Sequence, residues 1–395
     1  MHAPNVPKGK PTPCVGVRVR PNTFAEFESL TDELMAIGTK LGSRAQVQFV
    51  TTRLHDHTGT QAIMDEHWPQ PPMGGASIAP VGAARSGSLG GYMMLGGKDG
   101  VPVFMTAAHV VQPADRTEAQ DITKNGFERN LGGDRNIAIQ YPAKSTIVAT
   151  MEDTKLIQLH HERTLRRLQE AEMVEGYEGL KASDQQTLAE KPSEIEDAKN
   201  KLAGLERILN SEQSLVIGSV IQASPIVTNK DKFRMDWALV ELNDRALFPV
   251  NASPDEKMIP HGCFTYQGYK QQRAVDDIVE MKKDQWCIMQ GATSKIHIGT
   301  TNGIETILWM HEPQGKSNEW EIFQGDVGQG RDKPCFGAAG DSGAWLYDSE
   351  GKLLGMYWGG GVDFGCATPM LQIVEDIKTR TGKDISLSEA DRGRA

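Results

Sequence analysis

Three short segments carry residues that together can break an acyl bond. In VFMTAAHVV, His109 follows two small residues at the end of an apolar run. In MDWALVEL, Asp236 opens a strand-like run, and in GAAGDSGAWLY, Ser342 sits among glycines in a tight loop before another such run. A serine hydroxyl attacks a carbonyl when a neighbour takes its proton, and histidine suits that task near neutral pH. A buried carboxylate fixes the imidazole tautomer and stabilises the imidazolium. Small residues around Ser342 let the backbone turn sharply, so the N–H groups of Gly340 and Ser342 can aim at one developing oxyanion. Losing one such donor costs about 10²–10³ in rate. This chemistry, with His109, Asp236 and Ser342 as catalytic residues, needs no metal and no cofactor.

The elements that must position these residues read as β-structure. From about residue 76, short apolar runs alternate with glycines, as in GGYMML (90–95), VPVFMTAAHVV (101–111), MDWALVELN (235–243) and GAWLYD (343–348). Strands at short spacing with turn signals suggest a barrel or sandwich, and the 41 glycines and 20 prolines agree with that. Residues 1–75 read as a small mixed α/β unit: a strand at CVGVRV (14–19), an amphipathic helix over 23–42, and a strand at AQVQFVTT (45–52). HWPQPPMGG (67–75) then reads as a linker.

One segment departs from the β texture. Residues 151–213 are rich in Glu, Lys, Arg, Gln and Leu, with Leu156, Leu159, Leu165 and Leu168 in the first half. In the second half Leu188, Ile195, Leu202 and Leu209 stand seven apart, with Ala198 and Leu205 adding the three-residue step. Ser193 and Glu196 form a capping-box pattern just after Pro192, so the second helix is expected to begin there. The segment reads as an antiparallel helical hairpin inserted between strands, either a solvated excursion or an arm for a protein partner or self-association. ATPMLQIVEDIKTRTG (367–382) reads as a closing helix with Leu371, Val374 and Ile377 or Lys378 on one side, followed by a polar tail over 381–395.

Composition narrows the partners. A formal charge of -10 over 395 residues argues against a large phosphate-seeking surface, so nucleic acid is not expected. No window approaches the ~18 uninterrupted apolar residues of a membrane span. MHAPNVPKGKPTP lacks the apolar stretch of a secretory signal, and the five cysteines contain no CxxC pair. The expectation is a cytoplasmic chain with free thiols. His55, Asp56, His57, Asp65, Glu66 and His67 can be drawn as a metal cluster, but a solvated polar loop is the plainer reading.

The order His, Asp, Ser and the surrounding motifs resemble the chymotrypsin-like (trypsin-like) serine peptidases, in a subset including bacterial glutamyl endopeptidases and the trypsin-like domains of intracellular proteins. TAAH, DWALVEL and GDSGA resemble that family's histidine, aspartate and serine segments. SLGGY (88–92), QGATSKIHIGTTNG (290–303) and GKLLGMYWGGG (351–361) extend the match over about 76–380. The resemblance implies two six-stranded antiparallel β-barrels with the triad between them and the hairpin of 151–213 inserted in the first. It also implies that Tyr357, Trp358 and Gly359 line the substrate groove, with Gly359 offering its backbone to an extended peptide.

Departures from the family pattern sharpen the reading. Val110 stands where secreted relatives have cysteine, and Ala344 where the commonest form has glycine. No IVGG-type sequence precedes SLGGY to supply the amine that pairs with the aspartate before the serine. Either cleavage elsewhere, as after Arg85, supplies it, or Asp341 finds an internal partner. Phe336, six before the serine, marks the pocket floor by the same resemblance. With no acid there, a small or apolar preference is expected rather than a trypsin-like one, and Tyr357 in place of a histidine argues against glutamate. Cys335 and Cys366 flank the pocket loops, and Trp237 reads as core. The expected function is a serine endopeptidase acting on polypeptides through an acyl-enzyme, regulated by residues 1–75 or the hairpin. The alternative is a catalytically idle peptidase fold that binds partners through the hairpin.

Overall fold

A computed structural model of the chain describes residues 14–19, 46–51, 55–56, 72–97, 100–129, 135–211, 215–244, 249, 251–255, 273–301, 306–309, 316–324, 336–361 and 364–387. The molecule is mainly β. One six-stranded barrel is closed by hydrogen bonds in the order Lys295–Thr301, Trp286–Gly291, Trp345–Tyr347, Leu353–Gly360, Gly365–Pro369, Lys316–Gln324 and back to Lys295–Thr301. Every residue of the Leu353–Gly360 strand is buried, which its near-continuous apolar run already implies.

The other sheet follows the path Ile385–Leu387, Gly91–Leu95, Val101–Thr106, Ala238–Leu242, Val216–Ala223, Ala138–Gln140, Ser77–Pro80, Gly87–Ser88. Where a second closed barrel is expected, the ladder stays open between the last strand and Gly91–Leu95. The covalent chain bridges that gap, because Ser88 and Gly91 lie only three positions apart. Leu89 N–H still bonds Ala76 O, while Gly90 N–H already bonds Met105 O, so the strand changes partner at this bend. Gly90 and Gly91 are required there. A Cβ on either would collide with the Trp345 indole of the closed barrel.

Four helices complete the described fold: α1 (Arg116–Asn125), α2 (Lys144–Glu175), α3 (Ala182–Leu209) and α4 (Met370–Thr381). The hairpin α2–α3 corrects the expected boundary, since α3 runs through Pro192 instead of starting after it. Proline costs an interior helix its hydrogen bond and a steric clash. Here packing against α2 overrides that cost, with Leu168, Leu180, Ile195 and Ala198 buried along the hairpin. At its base, Ile147, Met151, Leu205, Ile208 and Leu215 form one apolar cluster.

In α4 the buried residues are Met370, Ile373 and Ile377, whereas Leu371 is exposed. Of the expected side, Ile377 is buried and Val374 packs on the core, so only Leu371 departs from it. Near the N-terminus, Cys14–Val19 pairs in parallel with Gln46–Thr51. A parallel pair needs a crossover connection; the helix expected at 23–42 falls in that connection, outside the described residues.

Candidate active site

The register of the first sheet brings the histidine and aspartate segments together. Ala238 pairs with Thr106, so the residues just beyond that pair run side by side. Thr106 leads into a short 3-10 turn, Ala108–Val110, whose small Ala107 and Ala108 are fully buried. Ala108 N–H donates to Asp236 O at 3.1 Å and His109 N–H to Asp236 Oδ1 at 3.0 Å. His109 Nδ1 then meets Asp236 Oδ2 at 2.7 Å. Burial alone would raise the Asp236 carboxyl, but the charges of His109 and Arg234 and the hydrogen bonds from His109 outweigh it. The net effect holds it well below the ordinary carboxylate range.

The Ser342 loop is held from several sides. Gly337, Gly340 and Gly343 take φ of 83°, 108° and 95°, the left-handed region that favours glycine. Asp341, directly before the serine, answers the question of its partner. Its Oδ1 accepts from the N–H groups of Thr293 (2.9 Å) and Ser294 (3.1 Å). Its Oδ2 accepts from Ala338 N–H at 2.7 Å and from the Ser294 hydroxyl. The partner is internal.

Ser88, in the SLGGY segment, ties this loop to the first sheet. Its N–H donates to Ser342 O at 2.7 Å and its hydroxyl to Gly340 O at 3.0 Å. A Cβ on Gly87 would collide with both the Val110 side chain and Ser342 O, which sets the histidine turn against the serine loop. Among the described residues, neither Gly340 N–H nor Ser342 N–H has a hydrogen-bond acceptor. The Ser342 hydroxyl itself donates to Trp358 O at 2.7 Å. Ser342 is 0% exposed.

Phe336, Tyr357 and Trp358 are buried. The Phe336 ring stands edge-on to His297, and the Tyr357 hydroxyl donates to Phe336 O at 3.0 Å. Gly359 and Gly360 pair antiparallel with Asp56 and His55, so the N-terminal part of the chain adds a short strand at this edge. Trp237 is fully buried, its indole donating to Asp376 on α4 at 2.8 Å. Asp121 pairs with Arg135 at the surface, 2.9 Å away. Cys287 and Cys366 are buried thiols, and Cys335 lies outside the described residues.

Two residues at the site escaped the reading of the sequence. Arg234 donates to Asp236, and Glu319 accepts from both the Arg234 backbone and the Trp358 indole. Arg234 had a signal: two positions before Asp236 in an extended run, it shares its face. Glu319 had none, being 83 residues beyond Asp236 with no motif around it.

The model of peptidase family S64 matches residues 169–386, more than half of the chain. The chain belongs to peptidase family S64. It is thus a serine peptidase, a hydrolase whose substrates are polypeptides. Asp236 and Ser342 fall inside the matched range, and His109 precedes it.

Among solved structures the chain is similar to a glutamic-acid-specific serine protease described as using a histidine triad in substrate binding, at 13% identity and TM-score 0.37 over 79% of this chain and 99% of that one. It is also similar to Thermobifida fusca protease A, at 12% and 0.36 over 80% and 98%. A third is Cellulomonas bogoriensis chymotrypsin, at 14% and 0.35 over 80% and 98%. Among curated proteins, none matches the chain. Among the described residues, no helix is long and apolar enough to cross a membrane, and no group of three or more His, Cys, Asp or Glu could hold a metal ion.

Proposed function

We propose that the chain is a latent serine endopeptidase in which Ser342 is the nucleophile, His109 the base and Asp236 the residue that orients His109. The observation that carries this reading is the buried bond from His109 Nδ1 to Asp236 Oδ2, at 2.7 Å. It fixes the proton on Nδ1 and leaves Nε2 as the atom to accept the Ser342 proton.

In the first half-reaction the Ser342 hydroxyl turns from Trp358 O to His109 Nε2, and Oγ attacks the scissile carbonyl as its proton passes to the imidazole. The Gly340 and Ser342 N–H groups receive the oxyanion. His109 then protonates the leaving amine, and water, deprotonated by the same imidazole, hydrolyses the acyl-enzyme.

Latency rests on the buried serine and on the strand that Asp56 and His55 add to Gly359 and Gly360. An extended substrate would use that same edge, so the N-terminal unit competes with it. The hairpin α2–α3 supplies an arm for a protein partner, a role supported by the exposed Leu156, Ile157, Leu159, Met173 and Val174. Deleting it and finding unchanged association in solution would discard that role.

The test of the enzyme reading is a fluorophosphonate probe, applied to the full chain and to a His55→Pro, Asp56→Pro variant. Labelling at Ser342 in either, abolished by Ser342→Ala, is the expected result. If neither chain reacts at Ser342, the triad assignment is lost.

A further inference from the structure

Asp236 holds more than the imidazole. Arg234 donates to Asp236 Oδ2 from Nε at 3.1 Å and from Nη2 at 2.7 Å. That is the same oxygen that His109 Nδ1 meets. The Arg234 and Asp236 side chains are both essentially withdrawn from solvent, where removing one partner would leave an uncompensated charge.

Three neighbouring strands of the closed barrel grip Arg234. From Leu353–Gly360, the Trp358 ring lies under its guanidinium, 4.1 Å from the guanidinium carbon to the ring centroid. From Lys316–Gln324, Glu319 Oε1 accepts its backbone N–H at 2.8 Å, while Oε2 accepts the Trp358 indole N–H at 3.2 Å. From Gly365–Pro369, the Thr368 hydroxyl donates to its carbonyl at 2.9 Å. The aspartate is thus held by the closed barrel through Arg234, and the imidazole it orients comes from the other sheet.

We infer that Arg234 is a positioning residue for the triad. Clamped between Asp236 and the Trp358 indole, it sets the carboxylate orientation that His109 requires and links that orientation to the docking of the two sheets. The inference rests on the triad reading above. Its electrostatic consequence differs from a packing role. Arg234 shares the negative charge that would otherwise stabilise imidazolium, so a permanent cation there keeps His109 neutral and basic to lower pH. A neutral residue returns the full carboxylate charge to the imidazole, which then holds its proton to higher pH.

The test is the rate of fluorophosphonate reaction at Ser342 against pH, a readout that needs no knowledge of the substrate. It is measured in the full chain, both unaltered and with His55→Pro and Asp56→Pro. Arg234→Gln is expected to lower the plateau rate about 10- to 100-fold and to move the acid limb up by about one pH unit. Arg234→Lys keeps the charge without the fork, so its limb stays in place while its plateau falls part of the way.

In Arg234→Gln a merely structural role would lower the rate without moving the limb, and that result overturns the inference. So does a wild-type rate and limb in Arg234→Gln, which leaves the triad intact. If Arg234→Gln does not fold by circular dichroism, the neutral Arg234→Met decides by the same readout: an acid limb moved up supports the inference, an unmoved limb overturns it. If neither the unaltered chain nor its His55→Pro, Asp56→Pro form labels at Ser342, the parent reading falls instead, and this inference with it.

Discussion

Ser294 gives both its backbone N–H and its hydroxyl to the carboxylate of Asp341. With Thr293 and Ala338 also donating, the aspartate before Ser342 is satisfied from within the chain. The expectation is that no new N-terminus is needed to organise the loop. Asp341→Asn replaces one acceptor oxygen by a donor that faces N–H or O–H groups, and is expected to disorder the oxyanion donors. Probe reaction at Ser342 should fall about 10²-fold, while Arg85→Gln, which blocks cleavage after that residue, should leave it unchanged. A rate that depends on Arg85 would show that the internal partners do not suffice.

The strand pairing of Asp56 with Gly359 and His55 with Gly360 sets a second expectation. Backbone hydrogen bonds are worth about 0.5–1.5 kcal/mol each, so a two-residue ladder restrains the edge by about 1–3 kcal/mol. In an antiparallel pair only alternate residues donate to a given neighbour, and prolines at 55 and 56 remove whichever N–H does so. Labelling of Ser342 should then speed up by about tenfold. An unchanged rate would mean that this strand does not limit access.

What the sequence made legible follows from how local each signal is. The approach of His109 to Asp236 is written in two short runs, each a strand with a distinctive end, and antiparallel pairing does the rest. Ser342 is flagged by glycines that only a sharp turn explains. The start of α3 was misread because Pro192, Ser193 and Glu196 satisfy every local rule for a helix N-terminus, while the packing that carries the helix back to Ala182 comes from α2. Leu371 shares a side with Val374 and Ile377 by spacing, yet spacing alone does not fix helix phase, and Met370 and Ile373 are buried with Ile377 instead. Glu319 was invisible because its partners, Arg234 and Trp358, are brought to it only by barrel closure.

Phe336 carries the specificity expectation. By the resemblance of its segment it is expected at the pocket floor, and its ring is fully buried against His297 and Tyr357, with centroids 5.7 and 6.0 Å away. Gly299 makes room for it, since a Cβ there would press on the Phe336 ring. A floor this full is expected to admit small or apolar side chains. A peptide library should show cleavage after such residues, and Phe336→Ala should extend it to larger apolar ones while costing about 3–5 kcal/mol of stability. Dominant cleavage after Lys, Arg or Glu in the wild type would overturn the assignment of Phe336.

Glu319 makes stability depend on pH with a sign opposite to Asp236. Burial pushes the Glu319 carboxyl up to about 8 from an ordinary 4.5, against the hydrogen bonds from Arg234 N–H and the Trp358 indole and the Arg234 charge. Between those values the folded chain binds more protons at this site than the unfolded chain does. The stabilising contribution is therefore fully present below about 4.5 and is lost as pH rises through about 8. Asp236, held below its ordinary range, contributes above that range and loses its contribution as pH falls. Over the upper window Asp236 is already ionised in both states, so Glu319 dominates the slope from this pair. Denaturant midpoints should decline from about pH 5 to about pH 8 in the wild type, and Glu319→Gln, which cannot ionise, should flatten that decline. Equal slopes in the two chains would place the titration elsewhere and leave Glu319 ionised in the folded protein.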